Sequence, residues 1–195
     1  MYRFLKRPLD FLISLTGLLV LSPFLVLIAL IIKLESEGKV LFIQKRVGKD
    51  KVLFDIYKFR TMVSETPKDT PTHLLNDPTR FITRFGAFLR KSSLDELPQL
   101  LNILKGDMSI VGPRPALWNQ DDLISERDKL NVNTLTPGLT GWAQINGRDE
   151  LPILEKTILD GYYVQHLSFR LDIKIFFLTI FKVLRAEDIR EGGQK

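Results

Sequence analysis

The sequence predicts an α+β protein in which a long apolar helix precedes a small mixed α/β domain. Residues 11–32 form an uncharged run of about 22 residues, enough as a helix to cross the roughly 30 Å hydrocarbon core of a bilayer. Residues 40–47 and 52–60 have the pattern of two strands around a turn. Residues 92–115 combine a helical leucine stripe with a short buried strand. These patterns predict a membrane-associated helix joined to a compact domain of helices and strands.

The composition narrows the kinds of partner and site. The net charge is +5 and the isoelectric point about 9.4, which suits anionic partners such as membrane lipid, nucleotide phosphates or nucleic acid. The absence of cysteine excludes disulfides and thiolate metal sites, and only His73 and His166 offer imidazole. Any metal would be held by carboxylates and phosphates, which favours Mg²⁺.

The apolar N-terminal run has a proline near its middle. No small-residue cleavage site of a signal peptide follows it, and its all-round apolar surface is atypical of a soluble core helix. Pro23 lacks an N–H, so Ser22-Pro23 predicts a kink or a break. The helix could span the bilayer with a kink or enter and leave by one face. Basic residues at both ends favour the second path: Arg3, Lys6 and Arg7 before the run, and Lys33, Lys39, Lys45 and Arg46 after it.

The predicted hairpin turns at residues 48–51. Phe54, Ile56, Lys58 and Arg60 share one face of its second strand because side chains alternate along a strand. Two cations at a strand end could hold a diphosphate, although a solvated strand end explains them equally well.

Residues 80–91 have the pattern of an amphipathic helix. Its phenylalanines lie on one side, so it could rest in the membrane interface or pack on the domain's own core. Arg90 comes shortly before two adjacent carboxylates and could therefore serve a site built around them.

Those carboxylates, Asp95 and Glu96, are predicted to start a helix. Ser93 stands three residues before Glu96, which is a capping-box spacing, and Gly106 is the predicted helix stop. A buried strand over 108–111 should then end at the Gly-Pro-Arg-Pro run that contains Arg114. Carboxylates at a helix start interact favourably with its dipole, so capping alone could explain the pair.

The C-terminal half offers fewer chemical signals. Residues 116–135 are predicted to form a solvated helix without chemistry, and residues 136–148 a turn-rich loop ending at Arg148. A helix over 151–165 should precede an apolar helix over 171–184. The second is too short to span a bilayer, and its lysines favour a surface-lying helix over an ordinary core helix.

Three longer motifs share one resemblance. In order along the chain these motifs are KFRTM at 58–62, Asp-Glu at 95–96 followed by GDMSIVGPRP at 106–115, and PGLTGWAQINGR at 137–148. The chain resembles the bacterial sugar transferases, the monotopic phosphoglycosyl transferases. These enzymes move a phospho-sugar from a nucleotide diphosphate sugar to a polyprenol phosphate. The resemblance implies a re-entrant membrane helix at 1–35, broken at Ser22-Pro23, and a cytosolic catalytic domain at 36–195.

The resemblance also implies roles for individual residues. Asp95 would be the nucleophile and a ligand of Mg²⁺, and Glu96 would help to hold the metal or manage protons. Cationic side chains would contact the phosphates and the nucleotide: Lys58, Arg60, Arg90, Arg114 and Arg148.

The expected partners are a UDP-sugar, undecaprenyl phosphate and membrane lipid, at the cytoplasmic face of the bacterial inner membrane. No nucleic-acid motif is present, and a homo-oligomer stays open. Two other functions remain as alternatives. A membrane-bound polyprenyl-diphosphate hydrolase would release phosphate instead of UMP, and a membrane-anchored anion binder would have no activity.

Overall fold

A computed structural model describes residues 2–63, 66, 80–147 and 151–185. The helices are α1 (Tyr2–Glu35), α2 (Arg84–Lys91), α3 (Gln99–Lys105), α4 (Asp121–Lys129), α5 (Trp142–Ile145), α6 (Ile153–His166) and α7 (Phe169–Arg185). The strands are β1 (Leu41–Val47), β2 (Leu53–Phe59), β3 (Ser109–Val111) and β4 (Gly138–Thr140). The mixed helix-and-strand class predicted from the sequence is confirmed.

Helix α1 is long and apolar, as predicted. It continues through Pro23, and the Ser22 hydroxyl donates a hydrogen bond of 2.8 Å to the Leu19 carbonyl. That carbonyl is the one that a residue with an N–H at position 23 would bond. The hydroxyl therefore satisfies the acceptor that the proline leaves without its usual donor.

Most of the apolar surface of α1 is not covered by the rest of the protein. By length and composition α1 could cross a membrane, and only 11% of its most apolar stretch is buried. Ile28 and Ile32 pack against Phe59 and Leu89 in one core cluster. The exposed remainder is far more apolar surface than a soluble protein usually presents to water.

Strands β1 and β2 form the predicted antiparallel hairpin, with Lys45 opposite Asp55. Asn102 of α3 covers the free edge of β2. Its Oδ1 accepts from the Tyr57 N–H at 3.0 Å, and its Nδ2 donates to the Asp55 carbonyl at 2.8 Å. The fully buried amide thus replaces a neighbouring strand and fixes α3 beside β2.

Strands β3 and β4 pair in parallel, and β4 lies within the segment predicted to be a loop. The backbone of the 106–115 motif approaches that of the 137–148 motif closely at these strands. A Cβ on Gly138 would lie 2.1 Å from the Gly112 nitrogen, and a Cβ on Gly141 would lie 2.1 Å from the Gly112 carbonyl oxygen. Because Gly138 and Gly141 have no side chain, the Gly-Pro-Arg-Pro loop can pack directly against the segment before Trp142.

The main core lies between the hairpin, α3, β3 and the two C-terminal helices. Ile56, Ile103, Met108, Tyr163 and Ile175 are buried within it. The helices predicted over 151–165 and 171–184 are confirmed as α6 and α7. Large apolar side chains of α7 nevertheless remain exposed on the side away from the core: Phe169, Ile173, Phe177, Ile180 and Phe181.

Two predicted helices differ from their expected form. Helix α2 begins at Arg84 and not at the predicted residue 80. Thr83 caps the helix by accepting from the Gly86 N–H, and Ile82 before it forms an antiparallel β-bridge with Met62. Helix α4 was expected to be solvated, but Arg127 on it is only 3% exposed. Its buried partner stands 33 residues away in sequence, so local pattern could not reveal it.

The close contact of β3 with β4 yields a stability prediction. Gly138→Ala should force the two strands apart, at a cost of roughly 1–3 kcal/mol or more. The midpoint of thermal unfolding in detergent should then fall by about 5 °C or more. Gly17→Ala is the control, because its Cβ would meet the Leu100 side chain at an ordinary 3.4 Å. Equal midpoints for the two variants would contradict this account of the paired motifs.

Candidate active site

The two adjacent carboxylates lie in a short 3₁₀ turn, Leu94–Glu96, between α2 and α3. The predicted capping box is wrong. Ser93 has φ 56° in the left-handed region, and its side chain makes no capping hydrogen bond. Helix α3 begins later, at Gln99, after Pro98. Its end at Gly106, with φ 100°, is as predicted. The dyad therefore sits on a tight turn ahead of the helix.

Glu96 is held between two cations from different parts of the chain. Its Oε1 lies 2.7 Å from Lys58 Nζ on β2 and 3.2 Å from Arg114 Nη2 in the loop after β3. All three side chains are largely buried, so their charges are weakly screened by solvent. The site thus joins the KFRTM strand, the dyad turn and the Gly-Pro-Arg-Pro loop.

Asp95 differs from its neighbour in both contacts and acidity. Among the described residues its carboxylate makes no hydrogen bond or ion pair. Burial raises the pKa of Asp95 to about 6, and the charge of Glu96 adds to this effect, while Lys58, Arg90 and Arg114 oppose it. Burial would also raise the pKa of Glu96, but the charges of Lys58 and Arg114 hold that pKa well below its ordinary value.

This asymmetry gives the two carboxylates different chemical capacities. Glu96 stays ionised and committed to its cations throughout the physiological range. Asp95 is ionised near neutral pH and is free to contact an electrophile or a metal ion. Its pKa also makes it a better nucleophile than a carboxylate of ordinary acidity.

The other predicted cations lie in different places. Arg90 donates from Nε to the Thr61 hydroxyl at 2.9 Å, and its charge lowers the pKa of Asp95. Arg60 instead donates to carbonyls at the C-terminal end of α1, those of Ile32, Ser36 and Glu37. The structure therefore brings Lys58, Arg90 and Arg114 to the dyad and assigns Arg60 to the end of α1. Arg148 lies outside the described residues.

Sequence reasoning missed a second group of residues, which contact the elements that carry the site residues. Arg127 on α4 donates to the Arg114 carbonyl at 2.9 Å and forms a buried ion pair with Asp160 on α6, at 2.6 Å from Nη2. Asn102 fixes α3 beside the strand that carries Lys58. The charge of Arg127 was visible in the sequence, but its burial and partner were not.

The site offers few protein ligands to a metal ion. No group of three or more histidine, cysteine or acidic side chains that could hold one occurs in the described ranges. One oxygen of Glu96 is bound by two cations, whereas the half-buried Asp95 carboxylate has no hydrogen bond or ion pair with the described residues. Mg²⁺ commonly uses one or two carboxylates together with substrate phosphates and water. The residues present fit Mg²⁺ held by Asp95 and completed by a phosphate-bearing substrate.

Comparison with known proteins identifies a family over nearly the whole chain. A family model described as bacterial sugar transferase matches residues 1–186. The chain is 43% identical over 187 residues to the uncharacterized sugar transferase EpsL of Bacillus subtilis, a match that covers 96% of this chain and 91% of that protein.

Other relatives carry more specific names. The UDP-glucose:undecaprenyl-phosphate glucose-1-phosphate transferase of Escherichia coli is 44% identical over 188 residues, covering 92% of this chain but 40% of that protein. An Aeromonas hydrophila enzyme named for transfer of N-acetylgalactosamine phosphate to undecaprenyl phosphate is 38% identical, covering 94% of this chain and 44% of that protein. The chain thus spans less than half the length of these two relatives.

The electrostatics of the dyad yield a prediction about acidity. Arg90→Gln removes a positive charge that stabilises the Asp95 carboxylate, so the pKa of Asp95 should rise above about 6. Lys91→Gln, one residue away and exposed, should leave it unchanged. Titration of carboxyl ¹³C resonances, assigned by comparison with Asp95→Asn, measures the midpoint. A lower or unchanged midpoint in Arg90→Gln would show that Arg90 does not act on Asp95.

Proposed function

The chain belongs to the bacterial sugar transferase family, and we propose that it transfers a phospho-sugar from a UDP-sugar to undecaprenyl phosphate with release of UMP. The reaction would be the first membrane step of glycoconjugate assembly. Relatives named as undecaprenyl-phosphate sugar phosphotransferases support the acceptor and the type of transfer. They carry different sugars in their names, so the sugar of this chain must be found by assay.

The observation that carries the proposal is the unequal state of the two carboxylates. Lys58 and Arg114 hold Glu96, whereas Asp95 has no such partner in the described part of the chain. An ionised carboxylate that no cation binds directly, in the field of three cations, is suited to attack a phosphorus atom that bears negative oxygens. We assign Asp95 as the nucleophile on this ground.

In the first step an Asp95 carboxylate oxygen attacks the phosphorus that bears the sugar. A bond forms between that oxygen and phosphorus, and the bond from phosphorus to the bridging oxygen of the diphosphate breaks. The electron pair leaves with the bridging oxygen as UMP, and the sugar phosphate remains on Asp95 as an acyl phosphate. The charges of Lys58, Arg90 and Arg114 act on Asp95 and would stabilise the developing negative charge.

In the second step an oxygen of the polyprenol phosphate attacks the same phosphorus. The bond from Asp95 to phosphorus breaks, which restores the carboxylate and yields a polyprenyl diphosphate sugar. Neither step needs net proton transfer if both nucleophiles are ionised. The depressed pKa of Glu96 favours a role in positioning Lys58 and Arg114 over a role in handling protons.

Mg²⁺ completes the proposed site. Asp95 is the proposed protein ligand because its carboxylate has no ion pair with the described residues, and the diphosphate would supply the remaining charged oxygens. When bound, the ion would withdraw charge from the phosphates and so ease attack by an anion. The cations of the chain would then bind and orient the nucleotide sugar against the dyad.

The contacts of α1 with the rest of the protein support a re-entrant path. Near its start Lys6 pairs with Asp172 on α7 at 2.5 Å, and near its end Glu35 accepts from the Phe85 N–H at 2.8 Å. Both ends therefore contact the one domain, whereas a helix that spanned the bilayer would carry one end to the opposite face. Ser22-Pro23, where a break was predicted and through which α1 continues in the structure, lies between these two anchors.

The exposed apolar face of α7 supports contact with the membrane interface. Phe169, Phe177 and Phe181 are each about half exposed or more, while Lys174 lies 5.3 Å from the Trp142 ring. Aromatic and aliphatic groups buried in lipid headgroups, with lysines extending to water, are typical of interfacial helices. This placement would bring the head of the polyprenol phosphate to the level of the dyad.

An assay of products tests the proposed reaction. A panel of UDP-sugars, including UDP-glucose and UDP-N-acetylgalactosamine, should release UMP with at least one member in the presence of undecaprenyl phosphate. Asp95→Asn should lose this activity by at least about a thousandfold, as a covalent nucleophile requires. Asp121→Asn, on the exposed face of α4, should retain it.

Two outcomes of that assay would contradict the proposal. Release of inorganic phosphate without UMP would favour the hydrolase. Near wild-type turnover by Asp95→Asn would eliminate the covalent scheme, provided that the variant has the same thermal midpoint and membrane retention as the wild type.

The topology is tested by single cysteines, since the chain has none of its own. Arg3→Cys and Asp121→Cys, both at exposed positions, should react with an impermeant maleimide only when the cytoplasmic face is accessible. Replacement of Ser22-Pro23 by Ala-Leu should let a fraction of molecules span the bilayer. Labelling of Arg3→Cys from the periplasm in the protein with Ser22-Pro23 intact would overturn the re-entrant path.

A further inference from the structure

Helix α6 places two buried polar side chains on one face, and the proposed reaction uses neither of them directly. Asp160 and Tyr163 stand one turn apart, and each is 1% exposed. Buried polar groups of this kind are costly unless their hydrogen-bonding capacity is satisfied. Both reach the segment that leads from β3 to Arg114, but at different points.

Tyr163 reaches the segment where it begins. Its hydroxyl oxygen lies 2.7 Å from Asp172 Oδ1 and 3.2 Å from the carbonyl oxygen of Val111, the last residue of β3. Burial and the nearby Asp172 carboxylate raise the pKa of Tyr163 well above its ordinary value, so the hydroxyl keeps its proton. The hydroxyl has a single proton, which it shares between the Asp172 carboxylate at the shorter distance and the Val111 carbonyl at the longer one, and it thereby links α7 to the end of β3.

Asp160 reaches the segment where it ends, through Arg127. Arg127 donates to Asp160 Oδ2 from Nε at 2.9 Å and from Nη2 at 2.6 Å. Its remaining terminal nitrogen, Nη1, donates to the Arg114 carbonyl at 2.9 Å. The planar guanidinium thus links an acidic anchor on α6 to the backbone of Arg114 itself.

We propose that Tyr163 and the Asp160–Arg127 pair are positioning residues that clamp the Val111–Arg114 segment at both ends and so aim the Arg114 side chain at the dyad. Between the clamps stand only Gly112 and Pro113. Proline restricts one backbone dihedral, and Gly112 is tied to β4 through its N–H to the Thr140 carbonyl at 2.8 Å. Fixing both carbonyls therefore fixes the direction in which the Arg114 side chain leaves the backbone, and the hydrogen bond from its Nη2 to Glu96 fixes its far end.

The hydrogen bonds of Tyr163 are part of a network that also includes the start of α1. Asp172 Oδ2 accepts from Lys6 Nζ and from the Tyr2 hydroxyl, each at 2.5 Å. Asp10 extends the same network to β3, because its Oδ2 accepts from the Ser109 hydroxyl at 2.6 Å. The start of α1 thereby supports the strand that leads into the clamped segment.

The clamp is tested first without any reaction. Tyr163→Phe removes one hydroxyl, and Tyr162→Phe on the exposed side of the same helix is its matched control. Amide hydrogen exchange of the peptide covering residues 109–116 should become at least about tenfold faster in Tyr163→Phe and stay unchanged in the control. Equal exchange in the two variants would overturn the clamp.

The role of the clamp in the reaction rests on the proposed function and needs a kinetic test. Tyr163→Phe should lower kcat/KM for the UDP-sugar by about tenfold, because Arg114 is no longer held toward the dyad. In an Arg114→Ala background the same substitution should change kcat/KM by less than about twofold. An equal loss in both backgrounds would show that Tyr163 does not act through Arg114.

Arg127→Lys provides an independent variant should Tyr163→Phe prove unstable. Lysine keeps the charge but cannot bond Asp160 twice and the Arg114 carbonyl at once. It should reproduce the faster exchange and the loss that depends on Arg114, and wild-type behaviour would count against the clamp. If the wild-type protein releases no UMP from any UDP-sugar, the proposed function fails, and the exchange experiment still decides the clamp.

Discussion

Glu96 is held by Lys58 and Arg114, and this ion cluster is the constraint on which the site depends. Its three members come from the hairpin, the dyad turn and the loop after β3, so the cluster requires all three elements to meet. A charged group this buried would be costly without its partners. The elements are in turn held by Asn102 at the edge of β2 and by Arg127 beneath the loop. Pairing Glu96 leaves its neighbour Asp95 as the carboxylate without an ion pair among the described residues.

The membrane helix is part of the scaffold of the site as well as a candidate anchor. Basic residues before the apolar run were interpreted from the sequence as a topology signal. Lys6 pairs with Asp172, and Arg7 donates to the carbonyls of Ile103 and Leu104 at the end of α3. Asp10 covers one edge of β3. A change at the start of α1 would thus reach the catalytic elements through direct contacts.

Local pattern was enough to predict α1, the hairpin, the Gly106 helix stop, β3 and the two C-terminal helices. Local pattern alone did not place Lys58, Arg90 and Arg114 near Asp95 and Glu96, because that expectation rested on the family resemblance and, for Arg90, on its closeness to the dyad in sequence. It failed where a distant partner decides the conformation. Strand β4 has only three residues and exists because β3 lies beside it. Arg60 was expected to contact the phosphates, but its guanidinium donates to a backbone carbonyl at the end of α1. A charge pattern gives no information about such partners.

The assignment of Asp95 as the nucleophile is tested most directly by locating the covalent intermediate. The protein would be mixed with a UDP-sugar that supports UMP release, without undecaprenyl phosphate, then quenched, digested and analysed by mass spectrometry. The assignment predicts up to one phospho-sugar per chain, on Asp95, with UMP formed in the same amount. A phospho-sugar on Glu96, or transfer to added acceptor with no adduct at any stage, would contradict it.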